Sequence, residues 1–112
     1  MAFEVVRQEH GGTPVLKLHG ELDTVSATQL DRALDDMAIG VSRVWIDLSE
    51  LDYINSTGVR CFLRIVRQLR GAGGDLAFLA APAKIERVFQ YCGLSGYFRF
   101  YADAPAAAGL AR

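Results

Sequence analysis

Short apolar runs typical of β-strands alternate along this chain with longer segments whose apolar residues recur every three or four positions. This alternation favours an α/β fold, in which mainly parallel strands are joined by right-handed helical crossovers. The strand-like runs cover residues 3–7, 15–19, 44–48, 76–80 and 97–101. Helical patterns follow the second, third and fourth runs, so the predicted order is β-β-α-β-α-β-α-β.

A pair of glycines separates the first two predicted strands. Gly11 and Gly12 favour a tight turn, which predicts an antiparallel hairpin at one edge of an otherwise parallel sheet. Gly20 is expected to end the second strand. With 112 residues, the sequence 1–112 is expected to form one domain with three or four helices, the last a short or frayed helix at 106–111.

Residues that begin or end helices divide the helical patterns. Ser26 and Gln29 match a capping box, in which the serine hydroxyl binds the Gln29 amide and the glutamine side chain reaches back. Gly40 is predicted to end this helix. Pro82 is predicted to be the first residue of the third helix and Gly93 to end it.

Charge and hydropathy exclude several classes of function. The chain has 12 basic and 13 acidic side chains, a net charge of −1 that gives no general attraction to nucleic acid, so we expect no direct nucleic-acid partner. The overall charge does not exclude a local basic patch. No apolar run approaches the roughly 20 residues that cross a bilayer, so no membrane insertion is expected. Glu4 stands where a secretory signal would carry basic residues, and the expected location is the cytoplasm.

Cysteines and histidines give no sign of a metal centre or an active site. Cys61 and Cys92 lie 31 positions apart within apolar helical patterns, which predicts two buried, reduced thiols. The only histidines that could complete a set of zinc ligands with these cysteines are His10 and His19, which lie on or beside the hairpin. No zinc site is therefore expected. The chain also lacks a nucleophile elbow and a glycine-rich phosphate loop in the right context. We therefore expect no catalytic residue, cofactor or metal.

Two loops at the predicted carboxyl ends of strands are the best candidates for a functional site, as is usual in open α/β sheets. They cover residues 20–24 and 52–59. In the second loop Asn55 is a good N-cap, which places Ser56 and Thr57 in the first turn of the following helix.

The predicted position of the two hydroxyls would suit a phosphate. Unpaired amide N–H groups and the positive end of the helix dipole would stabilise a phosphate on Ser56. The spacing alone favours the simpler interpretation of a capped helix with incidental hydroxyls. Gly58 costs about 1 kcal/mol relative to alanine in a helix, which indicates that a partner's backbone or a neighbouring loop needs the space.

Arginines recur along the helix predicted at about 57–70. Arg60, Arg64 and Arg67 stand at i, i+4 and i+7, with Arg70 alongside. Such a stripe is usually a solvated face, and it could equally dock an acidic partner or hold a phosphate.

Four motifs of the sequence resemble those of the STAS domain. They cover residues 20–23 (GELD), 46–49 (IDLS), 55–59 (NSTGV) and 88–94 (VFQYCGL). The resemblance runs from about Phe3 to Tyr101 and is specific, because the motifs keep the family's order and spacing. The chain resembles the single-domain anti-sigma-factor antagonists of the sporulation and general-stress type, which implies a STAS-like mixed sheet.

The resemblance implies a regulatory binding protein that acts by partner switching. In that family the unmodified antagonist binds an anti-sigma factor that is also a serine kinase. Phosphorylation of the antagonist separates the two, and a metal-dependent phosphatase of the PP2C type resets the cycle.

The family's motif D-S-[ST]-G-[LV] places the phosphorylated residue at Ser56, with Thr57 the less favoured choice. Asn55 stands where the family usually has an acid, and Asp23 matches the acidic loop residue beside the acceptor. The residues that the resemblance and the arginine stripe together assign to partner contact are Asp23, Thr24, Asn55, Ser56, Thr57, Gly58, Arg60 and Arg64.

Two other functions remain open at this point. Some STAS proteins that resemble this chain are accessory subunits of lipid-transport ABC complexes, and a third candidate is a scaffold protein of a stress-signalling assembly. A threonine without a serine usually occupies the acceptor region in the transport subunits, so Ser56 followed by Thr57 favours phosphoregulation.

Overall fold

The computed structural model describes residues 3–38 and 42–110, and in these ranges it contains five strands and four helices. In chain order they are β1 (Glu4–His10), β2 (Thr13–Leu22), α1 (Ala27–Ala38), β3 (Arg43–Ile54), α2 (Ser56–Gly71), β4 (Asp75–Leu79), α3 (Ala83–Tyr91), β5 (Arg99–Tyr101) and α4 (Ala104–Leu110).

The five strands form one mixed sheet in the order β1-β2-β3-β4-β5. β1 and β2 are antiparallel, and each of the other neighbouring pairs is parallel. The hairpin turn uses Gly11 and Gly12 with φ angles of 55° and 86°, the left-handed values that a two-residue turn of this kind requires. The predicted α/β class, the mostly parallel sheet and its antiparallel edge hairpin are thus confirmed.

The helices cover the two faces of the sheet unequally. The apolar faces of α1, α2 and α3 pack on one face, where Phe62, Phe78 and Phe89 are fully buried and their rings contact one another. The short helix α4 covers part of the opposite face, where Ala107 lies over Trp45 and Leu79. Both faces of the parallel strands are covered, which explains why the sequences of these strands are almost continuously apolar.

β2 and β3 are longer than the sequence predicts. Gly20 does not end β2, because its φ of 93° and a register shift beside it let the strand continue to Leu22. Leu22 pairs with Ile54 at the end of β3, and both side chains are buried. The two loops at the carboxyl ends are correspondingly shorter than predicted, and burial of these two side chains explains why.

The predicted capping box at the start of α1 is wrong. The Ser26 hydroxyl accepts a hydrogen bond from the Asp23 amide at 2.9 Å and donates one to the Glu21 carbonyl at 2.8 Å. The Gln29 side chain donates to the carbonyl of Phe3 at 3.5 Å instead of reaching back to Ser26. The serine is used by the preceding turn, so it does not cap the helix.

Other predicted boundaries shift by a few residues. Pro82 is the residue before α3 and not its first residue, while Gly93, with a φ of 72°, follows the helix end as predicted. The last strand begins at Arg99, and the tail helix spans Ala104–Leu110. Gly40, the predicted end of α1, lies outside the described residues, as does Ala111.

The two cysteines differ in exposure, which corrects the prediction for one of them. Cys61 on α2 is buried, whereas Cys92, which follows the last residue of α3, is exposed. Both thiols are free.

Candidate functional site at the start of α2

The carboxyl ends of β2 and β3 bring the two predicted loops together. The amide of Asn55 donates to the carbonyl of Leu22 at 3.2 Å, so the chain leaving β3 is joined to the chain leaving β2. The turn that begins at Asp23 therefore lies beside the first turn of α2. Parallel strands end at the same edge of the sheet, and this edge carries most of the predicted site residues.

Asn55 caps α2 as predicted. Its backbone is extended, and its Oδ1 atom accepts a hydrogen bond from the amide of Gly58 at 3.2 Å. One of the unpaired N–H groups of the first turn is thereby satisfied, and the helix begins at Ser56.

Ser56 and Thr57 have different surroundings although they are adjacent. Ser56 is exposed, whereas Thr57 is partly buried and its Oγ1 lies 3.3 Å from the Oγ1 of Thr24. An enzyme can reach the Ser56 hydroxyl from solvent, while the Thr57 hydroxyl is already engaged. The geometry therefore favours Ser56 over Thr57 as a site of modification.

Asp23 shapes the turn that leads from β2 to α1. Its Oδ1 accepts hydrogen bonds from the amides of Val25 and Ser26, both at 3.0 Å. Hydrogen bonds from Ser26, the backbone first and then the hydroxyl, hold the pKa of the Asp23 carboxyl below its ordinary value of 3.8. The carboxylate that the resemblance assigns to partner contact thus also holds its own turn in place.

Gly58 is buried where α2 crosses the ends of β2 and β3. A Cβ atom at this position would lie 2.8 Å from Leu22 Cγ and 2.9 Å from Ile54 Cγ1. Of the two explanations left open by the sequence, the structure supports packing against a neighbouring part of the chain.

The arginine stripe divides into engaged and exposed members. Arg64 donates to the carboxylates of Asp31 at 2.7 Å and Asp35 at 3.2 Å, both on α1. Arg70 donates to Asp75 at 2.9 Å. Arg60 is exposed one turn after Ser56, on the same side of the helix. Arg60 is therefore the arginine of the stripe best placed to contact a partner at the serine.

Sequence reasoning missed two apolar side chains at this edge. Val25 is 84% exposed in the turn after β2, and Tyr53 is 48% exposed near the end of β3. The only signal for Val25 was an apolar residue within a polar turn. The sequence pattern predicts that the third strand ends at residue 48 and so places Tyr53 in a loop, whereas β3 continues to Ile54.

The predicted contact residues line neither of two cavities, of about 240 and 200 Å³, that flank α4. They form part of an open rim at the strand ends instead. In the described part of the chain no group of three or more metal-ligating side chains comes together. Within residues 3–38 and 42–110, no helix is long and apolar enough to cross a membrane.

Comparison with known proteins identifies the family. The STAS domain model matches residues 4–107. Over 98 residues the chain is 33% identical to BtrV of Bordetella bronchiseptica, named as a candidate anti-sigma factor antagonist, and the match covers 87% of this chain and 84% of that protein.

Solved structures share the fold. An anti-sigma factor antagonist from Mycobacterium paratuberculosis superposes with a TM-score of 0.87 at 23% identity, covering 97% of this chain and 93% of that one. The Bacillus cell fate determinant SpoIIAA in its phosphorylated form superposes with a TM-score of 0.72 at 25% identity, covering 99% of this chain and 100% of that one. Because the family model matches residues 4–107 of the 112 in this sequence, the chain belongs to the STAS domain family.

Proposed function

We propose that this protein is an anti-sigma-factor antagonist that acts by partner switching. The observation that carries the proposal is the exposed Ser56 hydroxyl at the capped start of α2, beside a threonine whose hydroxyl is engaged. Two relatives support the proposal. BtrV is named as a candidate anti-sigma factor antagonist, and SpoIIAA, whose fold this chain shares, is named as an anti-sigma factor antagonist. The chain acts as a binding protein and not as an enzyme.

In its unmodified form the protein binds an anti-sigma factor that is also a serine kinase. The contact uses the rim at the carboxyl ends of β2 and β3, including Thr24 and the first turn of α2, with Arg60 at its border. Asn55, Thr57 and Gly58 contribute mainly by fixing the position of Ser56, because they cap, anchor and pack that turn.

Phosphorylation of Ser56 ends the interaction without a change of fold. The modification adds about −1.5 to −2 charges at pH 7 at the centre of the contact, where desolvation of the phosphate and loss of surface fit disfavour binding. Each 1.4 kcal/mol of differential affinity changes the equilibrium constant by about tenfold. A PP2C-type phosphatase removes the phosphate, and all three proteins act in the cytoplasm.

Arg64 has a smaller role in this contact than the sequence suggests. Its guanidinium group already binds two carboxylates of α1. We propose that it holds α1 against α2 and so positions the edge, while Arg60 meets the partner.

A binding measurement with charge variants tests the proposal. Each anti-sigma factor kinase encoded in the source genome is purified, and its affinity for the unmodified protein and for Ser56→Asp is measured by calorimetry. We expect one kinase to bind the unmodified protein and Ser56→Ala with similar affinity. Its affinity for Ser56→Asp should be at least about tenfold lower.

Ser95→Asp is the matched control. Ser95 is also exposed, and it lies between α3 and β5 at the amino ends of the strands. The Ser95→Asp variant adds the same charge at the opposite edge of the sheet, so its affinity for the kinase should equal that of the unmodified protein. Equal binding of Ser56→Asp and unmodified protein by that kinase would contradict the proposal.

A further inference from the structure

A cavity of about 240 Å³ lies between α4 and the face of the sheet that α1, α2 and α3 do not cover. Its inner part is apolar. Trp45 of β3 and Ala77 of β4 are buried there with Ala107 of α4, and Tyr101 of β5 packs against them. Because β4 lies between β3 and β5, the small side chain of Ala77 leaves a gap between the two aromatic residues. The inner part of the cavity therefore suits a flat apolar group.

The outer part of the cavity is charged. It is lined by Arg43, Asp75 and Arg99, which are the first residues of β3, β4 and β5. Successive side chains of a strand point to opposite faces of the sheet. The spacing of two residues thus places Arg43 on the same face as Trp45, and Arg99 on the same face as Tyr101. The cavity is apolar at one end and charged at the amino ends of three neighbouring strands.

The charges at this end do not balance. Asp75 is the one acidic side chain among the described residues that line the cavity. Its Oδ1 accepts a hydrogen bond from Arg70 at 2.9 Å, and its Oδ2 accepts one from the Nε of Arg99 at 3.2 Å. With Arg43, three guanidinium groups share one carboxylate, so positive charge is in excess. Arg99 uses its Nε for Asp75, and its terminal amino groups can donate to an anion.

The backbone fixes the starts of β3 and β4 against each other. The amide of Asp75 donates to the carbonyl of Ser42 at 2.8 Å, and Arg43 pairs with Asp75 in the sheet. A Cβ atom at Gly74 would clash with the carbonyl oxygen of Ser42, so the close approach requires glycine. The backbone that carries the charged side chains is therefore already in place, which lowers the entropic cost of binding a ligand.

We propose that this cavity binds a small aromatic carboxylate. The ring lies over Ala77, between the aromatic residues of β3 and β5, and the carboxylate accepts hydrogen bonds from Arg43 and Arg99. The planar guanidinium group matches the geometry of a carboxylate. Pockets for drug-sized ligands have volumes of about 300–1,000 Å³, and this cavity is smaller, so a ligand with a single ring fits it best. Ser56 lies at the other ends of the strands, so the inference does not depend on the proposed switch.

Benzoate is the probe, because it combines one aromatic ring with one carboxylate. The sequence has a single tryptophan, so the indole N–H of Trp45 gives one identifiable signal in a nitrogen–proton NMR correlation spectrum. We expect benzoate to shift this signal until the site is saturated, with a Kd of about 1 mM or lower. Benzyl alcohol lacks the charge and inorganic phosphate lacks the ring, so each should bind at least about tenfold more weakly.

Two substitutions each remove one part of the site. Arg43→Gln removes a charge from an exposed residue and should weaken benzoate binding at least about fivefold. Ala77→Val fills the gap with a residue that favours strands and should weaken binding at least about tenfold. Arg87→Gln is the matched control, because Arg87 is exposed on α3, which packs on the other face of the sheet. Its affinity for benzoate should stay within about twofold of the unmodified protein.

Three results would overturn the inference. The first is a Trp45 signal that benzoate does not shift, and the second is equal benzoate affinity of Arg43→Gln and Arg87→Gln. The third is inorganic phosphate that binds as tightly as benzoate, since the site would then be an unselective anion patch. The dispersion of the amide signals shows whether each variant is folded. If Ala77→Val does not fold, the comparison of the two arginine variants decides.

Discussion

At the scale of single residues, the site depends on small differences between neighbours. Ser56 and Thr57 carry the same functional group, yet one hydroxyl is exposed and the other contacts Thr24. The capping chemistry of Asn55 was readable from the sequence because it is local. The role of Ser26 was not, because its hydroxyl bonds to the Asp23 amide and the Glu21 carbonyl of the preceding turn instead of to the helix.

Gly58 provides the clearest stability test at this scale. Alanine is the better helix former by about 1 kcal/mol, but its Cβ would lie within 2.9 Å of Leu22 and Ile54. We expect Gly58→Ala to lower the free energy of unfolding by about 1–3 kcal/mol, since overpacking in a buried contact outweighs helix propensity. Urea unfolding followed by circular dichroism measures the change.

Gly71→Ala is the control, because Gly71 ends the same helix and nothing lies within 4 Å of an added Cβ. That variant should be as stable as the unmodified protein or slightly more stable. Equal stability of the two variants would contradict the packing described for the start of α2.

At the scale of secondary-structure elements, one side of α2 forms a polar seam with the segment that precedes β3. Thr57 contacts Thr24, the Cys61 thiol donates to the Ala27 carbonyl at 3.8 Å, and Arg64 binds carboxylates of α1. The three α2 residues are spaced four and three positions apart, so they lie on one side of the helix. The seam fixes the turn after β2 against the start of α2.

The Cys61 thiol makes the seam sensitive to alkaline pH. Burial, and then the nearby Asp31 carboxylate, raise the pKa of Cys61 from 9.0 to about 11. Between these values the unfolded chain loses the thiol proton and the folded protein keeps it. The stability contributed by the neutral thiol is therefore complete below pH 9 and is lost as the pH rises toward 11.

We expect the difference in unfolding free energy between the unmodified protein and Cys61→Ala to change across this range and to stay constant at lower pH. Urea unfolding of both proteins at several pH values gives this difference, in which the titration of other groups cancels. A difference independent of pH up to 11 would contradict the buried position of the thiol.

Sequence patterns predicted the elements better than their ends. Periodicity located all five strands, because alternation and apolar runs are local signals. It missed the continuation of β2 and β3 to Leu22 and Ile54, since that extension depends on a pairing between distant segments. Periodicity also could not predict which arginines of the stripe form ion pairs, because the acids that bind Arg64 lie about 30 positions away.

At the scale of the whole molecule, the sheet separates support from recognition. Three helices and the aromatic cluster fill one face, α4 covers part of the other, and the carboxyl edge remains open around Ser56. The mostly parallel sheet with its antiparallel edge hairpin was predictable because strands that alternate with helices favour parallel pairing through right-handed crossovers. The exposure of Val25 and Tyr53 was not, because exposure is a property of the assembled fold.

Such an arrangement lets one modification change binding while the fold stays intact. Ser56 is exposed outside the buried core, so the proposed phosphate there would alter the surface without breaking a core contact. Control by differential affinity then needs no second conformation.

Intact-mass spectrometry after incubation with the anti-sigma factor kinase and ATP tests this account most directly. The unmodified protein and Thr57→Val should each gain one phosphate, and Ser56→Ala should gain none. A Ser56→Ala protein that still gains one phosphate under the same conditions would contradict the account.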